Sequence, residues 1–249
     1  MSSGIILSVR EKAKRLPGKV LKPLGGCSVT EFLLRRLQTS RNASCVVLAT
    51  SVNDRDDVLV DLAKKLGVTY FRGSEDDKLV RYRDTAKEYD LEFLAVVDGD
   101  DPFCSVEHID KIISYASNNT VDYVQYDQLP LGATAFGIRL RALVEVCEKK
   151  SEVNTEVWQH LFRDTPAIKT TMLVDDDQRY CRPDIRMTLD YREDYDFFVN
   201  VVDYLERVNY EPTFQNIISI LEEHPEILDI NSGMHEKYEL HLAQSKLQP

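Results

Sequence analysis

Four near-continuous apolar runs constrain this chain more than anything else in it. They are Ile5–Val9, Cys45–Thr50, Thr69–Phe71 and Phe93–Val97. Each is short enough for a strand and lacks the alternation of a half-solvated one, so both of its faces must be covered. Helical patterns lie between them. Ser28-Val-Thr-Glu31 is a capping box that opens a helix to about Gln38. Residues 57–66 carry Val58, Leu62 and Leu66 four apart, and Lys78–Tyr89 and Ile109–Ala116 also read as helices. Apolar strands alternating with helices predict an α/β fold: a doubly wound, mostly parallel sheet with helices on both faces.

The pattern loosens after Thr120. Tyr123–Tyr126, Ala135–Ile138 and Ile168–Leu173 read as strands, Leu140–Lys149 and Glu156–Phe162 as helices, and Asp175–Asp177 as a solvated turn. Met187–Leu189 reads as a late strand, Glu193–Arg207 as an amphipathic helix, and Gln215–Glu223 as a last helix. No repeat or linker divides the 249 residues, so residues 1–232 are expected to form one domain and 233–249 a polar tail.

In open α/β sheets ligands sit beyond the carboxyl ends of the strands, and that rim is where the chemistry-bearing residues fall. The first apolar run leads straight into Arg10, Arg15, Pro17, Gly18 and Lys19, then Gly25 and Gly26. Glycines let the backbone approach a ligand, and the cations can neutralise phosphate. A solvated basic loop is the plain alternative. The fourth run leads into Asp98-Gly-Asp100-Asp101-Pro102, which suits either a hard divalent cation or an Asp-Gly turn. The net charge of −11 argues against nonspecific nucleic-acid or membrane binding and makes a cationic loop stand out. No run of 18 apolar residues is present, and the N-terminus lacks a signal pattern. Five scattered cysteines without metal spacing read as reduced thiols, so a cytoplasmic location is expected. The five histidines are dispersed, and the sequence suggests neither a histidine metal cluster nor a Ser-His-Asp triad.

The loop resembles the nucleotide-binding signature of the cytidylyltransferases that make CMP-activated acidic sugars. These include the acylneuraminate and 3-deoxy-manno-octulosonate enzymes and the spore-coat polysaccharide F group. Their Ala-Arg-x-x-Ser-x-Arg-Leu-Pro-Gly-Lys pattern aligns with Val9–Lys19, and it matches best from Arg15 on; Glu11, Lys12 and Ala13 replace small residues and a serine. The resemblance extends to the Asp98–Pro102 segment, to Leu189–Asp194, to Ala49-Thr50-Ser51 and to Phe71-Arg-Gly-Ser74.

The resemblance implies a CTP-dependent transfer of CMP to an acidic sugar with release of pyrophosphate, for a surface polysaccharide or glycoconjugate. It implies that Arg10, Arg15 and Lys19 act on the phosphates and that Asp100 and Asp190 hold Mg2+. Gly18, Ala49, Thr50, Ser51, Arg72, Ser74 and Arg186 would contact the nucleotide. A helix-capping role for Ser51, and simple Asp pairing for Arg186, stay open. Glu193 and Asp194 fall in a first helical turn and read as partners of the helix dipole. The middle segment 120–185 would shape the acceptor pocket and a homodimer contact, with Val157, Trp158, Leu161 and Phe162 as its apolar patch. A nucleotide-sugar glycosyltransferase using Asp98-Gly-Asp100, or a noncatalytic nucleotide-binding module, are the other readings.

Overall fold

The computed structural model describes residues 1–13 and 15–245; Lys14 of the loop and 246–249 of the C-terminal segment lie outside the described residues. Its elements run β1 (Ser3–Ser8), β2 (Pro23–Leu24), β3 (Cys27–Ser28), α1 (Val29–Leu37), β4 (Cys45–Ser51), α2 (Asp57–Lys65), β5 (Thr69–Gly73), α3 (Lys78–Glu88), β6 (Phe93–Asp98) and α4 (Val106–Asn118). They continue with β7 (Tyr123–Tyr126), β8 (Phe136–Arg139), α5 (Leu140–Lys149), α6 (Gln159–Arg163), β9 (Thr170–Leu173), α7 (Arg192–Arg207), α8 (Phe214–Glu223) and α9 (Met234–Ser245).

A seven-stranded sheet has the order β5-β4-β1-β6-β8-β7-β9. β1 is parallel to β4 and β6, and β4 to β5, while β8 is antiparallel to β6 and β7. The four apolar runs are therefore the parallel half, and their carboxyl ends share one rim. β1 shows why its run has no polar alternation. Ile5 and Leu7 enter one core with α1, α4, α7 and α8, and Ile6 enters a second core with α3 and α5.

Some expectations are corrected. Met187–Leu189 is not a strand: only Arg186 forms an isolated bridge, to Leu131, although Met187 N–H donates to Leu131 O and Leu189 N–H to Asp100 O. The segment is extended because it threads between two loops and has no strand beside it. Residues 156–158 are not helical, and α6 begins at Gln159. Trp158 and Phe162 do not form a surface patch. Both are fully buried, packing with Tyr82, Tyr123 and Phe136 into the aromatic part of the second core. In α2 the buried stripe is Leu59, Val60 and Ala63, and Val58 faces out. Asp175 is buried rather than solvated. Within the segment read as a polar tail, Met234–Ser245 form helix α9.

Candidate active site

The cleft is built where β1 and β6 end side by side. Gly99 N–H donates to Ser8 O at 2.8 Å, and a Cβ on Gly99 would lie 2.6 Å from Val9. Only glycine lets the loop after β6 lie this close to the loop after β1. Within the first loop Gly18 takes φ +67°, and a short 3-10 turn, Lys19–Leu21, follows. This left-handed step turns the chain so that Lys19 points back into the cleft.

The Lys19 ammonium donates to Asp100 Oδ2 at 2.7 Å, to Leu189 O at 2.6 Å and to Asp190 Oδ1 at 3.0 Å. Arg15 donates through Nη2 to the same Asp190 oxygen. The other Asp190 oxygen accepts from Arg186 Nη2 at 3.0 Å. Arg186 is held in turn by Asp194, which is fully buried and also accepts the backbone N–H groups of Asp190 and Tyr191, both at 2.9 Å. Asp194 is thus more than a dipole partner: it fixes the turn that presents Asp190, and sits deep enough to anchor an arginine.

Opposed charges dominate the electrostatics. Burial alone would raise the Asp190 carboxyl, but Lys19 and Arg15 bring it down to about 2. Burial likewise works against the Lys19 ammonium, and Asp100 and Asp190 raise it nonetheless. Asp101 shows the reverse balance. Burial, then the charges of Asp100 and Asp98, push its carboxyl well above the usual range. One oxygen each from Asp98, Asp100 and Asp101 lies within 4.8 Å of the others. This crowd of hard oxygen donors, with a lysine ammonium already between Asp100 and Asp190, fits a divalent cation of the magnesium or manganese type. The carboxylates close enough to share it are Asp98, Asp100 and Asp101, and Asp190 stands across the Lys19 ammonium from Asp100.

The cleft encloses about 1070 Å³. Arg10, Arg15, Lys19, Asp98, Asp100, Asp101 and Asp190 line it. Gly18, Ala49, Thr50, Ser51, Arg72, Ser74 and Arg186 are not among its lining residues. Arg72 folds back over the loop after β4, donating to Ser51 O at 3.0 Å, Asn53 O at 2.9 Å and Asp57 at 2.5 Å. Ser51 donates to Asp56 at 2.5 Å, while Asn53, not Ser51, caps the following turn. Ser74 accepts from Asp77 N–H at 3.1 Å. Arg186 pairs with Asp190 and Asp194, as described.

Several cleft residues carry no sequence motif. Lys78, the first residue of α3, reaches Asp98 at 3.0 Å and Glu156 at 3.3 Å. Glu156 also pairs with Arg10. The Asp77 cap is the one local signal that could have found Lys78, since it starts α3 at the sheet's rim. His235 and Tyr238 of α9 line the same cleft.

A second polar cluster corrects the reading of the histidines. The Ser105 hydroxyl lies 2.6 Å from His108 Nδ1, and His108 Nε2 lies 2.9 Å from Asp175. The Ser-His-Asp order is present, but all three residues are buried and Ser105 caps α4. None of the three lines the cleft described above, and Ser105 and His108 are closed off from solvent. The cluster ties the segment after β9 to α4.

A cytidylyltransferase family model matches residues 4–197. The chain is 30% identical over 233 residues to an uncharacterised protein, MJ1063, of Methanocaldococcus jannaschii, covering 93% of this chain and 95% of that one. It is 28% identical over 198 residues to the spore coat polysaccharide biosynthesis protein SpsF of Bacillus subtilis, covering 77% and 82%. The fold is similar to the structure of a cytidylyltransferase from Leptospira borgpetersenii, with TM-score 0.83 and 24% identity over 92% of this chain and 97% of that one. Among the described residues, no helix is long and apolar enough to cross a membrane.

Proposed function

The chain belongs to the cytidylyltransferase family, and from that premise we propose that it transfers CMP from CTP to a hydroxyl of an acidic sugar. The observation that carries this reading is the Lys19 ammonium held between Asp100 and Asp190 on the cleft wall, with Arg15 on the same carboxylate. Cations and carboxylates packed this tightly at a strand rim suit a polyphosphate and its counter-ion.

In this reading Arg10, Arg15 and Lys19 hold the β- and γ-phosphates. An acceptor oxygen forms a bond to the α-phosphorus, the bond from that phosphorus to the bridging oxygen breaks, and pyrophosphate leaves with the electron pair. The acceptor's proton passes to solvent. Asp194 and Arg186 keep Asp190 in place, and Lys78 meets the acceptor. A divalent cation, Mg2+ in our reading, supplies charge neutralisation at the phosphates when bound by Asp100 and Asp190. Positioning and charge account for catalysis here, with no covalent intermediate.

The acidic-sugar acceptor is supported by the Lys78 cation on the cleft wall, and the polysaccharide role by the likeness to SpsF. The product would serve a surface polysaccharide or glycoconjugate, made in the cytoplasm. A homodimer is part of the proposal; the exposed apolar groups along the middle segment include Leu131, Val153, Val157, Met172 and Val174. Sedimentation at micromolar concentration tests it. The central test is pyrophosphate release with each of the four NTPs, Mg2+ and a panel of acidic and neutral sugars. Release with CTP and an acidic sugar is expected. Equal release with UTP, or release with neutral sugars alone, overturns the reading.

A further inference from the structure

Helix α9 lies outside the residues matched by the family model, and none of its described residues enters either hydrophobic core. Even so, it is tied to the charged end of the cleft. At its base, Asn231 is buried and donates through Nδ2 to Arg186 O and Asp194 Oδ1, both at 3.1 Å. The amide of Met234 then donates to Asn231 O at 3.0 Å and starts the helix. One turn on, the Lys237 ammonium lies 4.4 Å from the Tyr191 ring centroid and 3.9 Å from Glu193. Tyr238 faces the cleft with His235, three residues earlier on the same face. Its ring centroid is 5.3 Å from the Arg15 guanidinium carbon and 5.4 Å from that of Arg186. Tyr191 stands 5.7 Å from the first and 5.9 Å from the second.

We propose that Tyr238 is a positioning residue for Arg15, and that α9, with His235 beside it, forms the outer wall of the phosphate end of the cleft. The inference rests on the cytidylyltransferase reading only for the identity of the nucleotide. A guanidinium is planar, with attractive faces toward aromatic rings and N–H donors along its edge. Asp190 takes one arm of Arg15, and the two tyrosine rings lie within cation–aromatic range of its central carbon. The remaining edge donors then point at an incoming anion without further ordering. Arg15 has a side chain 30% exposed, so without Tyr238 it would sample many rotamers, and binding would bear the cost of choosing one. The aromatic contact acts on Arg15 through its face, so a phenylalanine should serve as well as a tyrosine.

The test is calorimetric binding of Mg2+–pyrophosphate and of Mg2+–CTP to the full chain. The variants are Tyr238→Phe, Tyr238→Ala, Arg15→Ala and the Arg15→Ala/Tyr238→Ala pair. Tyr238→Ala is expected to weaken both ligands by about three- to thirtyfold, the span of a cation–aromatic contact. Tyr238→Phe should stay within about twofold, the melting temperature of Tyr238→Ala should match the wild type, and Tyr238→Ala should add nothing once Arg15 is gone. Wild-type affinity in Tyr238→Ala, an equal loss in Tyr238→Phe, or a full additional loss on top of Arg15→Ala overturns the inference. Wild-type binding of pyrophosphate but not CTP strikes down the nucleotide assignment and leaves the role of Tyr238 standing. Binding of neither ligand strikes down both.

Discussion

The loop after β6 feeds two polar networks of opposite character. Its first half gives Asp98, Asp100 and Asp101 to an open cleft, where Lys19 and Arg15 meet Asp100 and Asp190. Its end gives Ser105 to a sealed cluster with His108 and Asp175, under the rings of Tyr126, Tyr180 and Phe214, each 4.7 to 5.5 Å from the imidazole. Residue types alone would rank the sealed cluster as the more catalytic, since it carries a Ser-His-Asp order. Access and charge reverse that ranking. The sealed serine caps a helix, and burial followed by Lys111 pushes the His108 imidazole below its ordinary value. The open network instead collects more charge than it can neutralise internally, as the raised Asp101 carboxyl shows. Buried polar groups that satisfy one another hold a fold together, whereas crowded like charges at a rim are ready for a ligand.

The contrast is broken most directly at Asp190. Asp190→Asn should lower turnover by about a thousandfold, as expected on losing a charged group that orders the transition-state charges. The far-ultraviolet circular dichroism should be unchanged. Asp100→Asn should do the same, and wild-type pyrophosphate release in both would remove the open network from the chemistry. Next in size is Lys19→Ala, which should weaken triphosphate binding or slow turnover by about ten- to a thousandfold, a few kcal/mol for a charge-assisted contact.

Ser105→Ala carries the opposite expectation. It should leave pyrophosphate release within about twofold and lower unfolding stability by about 1 kcal/mol, the usual worth of a helix cap. A large loss of activity with unchanged stability would make the sealed cluster catalytic after all.

The smallest effect is a change in pH slope. The folded His108 lies below its ordinary 6.5, with burial as the main cause and Lys111 next, while Asp175 and Glu107 pull the other way. A lowered folded value means that the unfolded chain binds the proton more readily. The stability that His108 contributes is therefore whole above about pH 6.5 and is lost as pH falls through its lowered folded value. Asp175 is raised by burial but lowered overall by Lys111 and its backbone partner, so its own loss begins only below the ordinary 3.8. Melting temperature measured between pH 7 and 5 should fall in the wild type and stay flatter in His108→Gln. Parallel profiles would mean that His108 does not carry the slope.

Much of this was legible in the residues alone. The runs Ile5–Val9, Cys45–Thr50 and Phe93–Val97 appear as β1, β4 and β6 within two residues at either end, because a strand covered on both faces must be apolar throughout. The cationic loop and the Asp98–Asp101 segment could be placed at one rim because a parallel sheet sends all its strand ends the same way. What could not be read was anything set by long-range contact. Lys19 meets Asp100 and Asp190 across 81 and 171 positions, and Arg15 meets Asp190 across 175. Trp158 is core and Val157 is surface, although they are neighbours. Arg72, Ser51 and Ser74 match a motif, yet their hydrogen bonds are taken by the loops beside them. Asp175 looked like part of a solvated acidic turn until α4 brought His108 and Lys111 to it. Tyr238 lies in a stretch with no pattern, and its place beside Arg15 follows from Asn231 anchoring α9 to the Arg186–Asp194 pair. Periodicity and loop chemistry act over a few residues and survive in the sequence. Burial, ion pairing and access to the cleft depend on which distant segments pack together, and only the folded chain decides that.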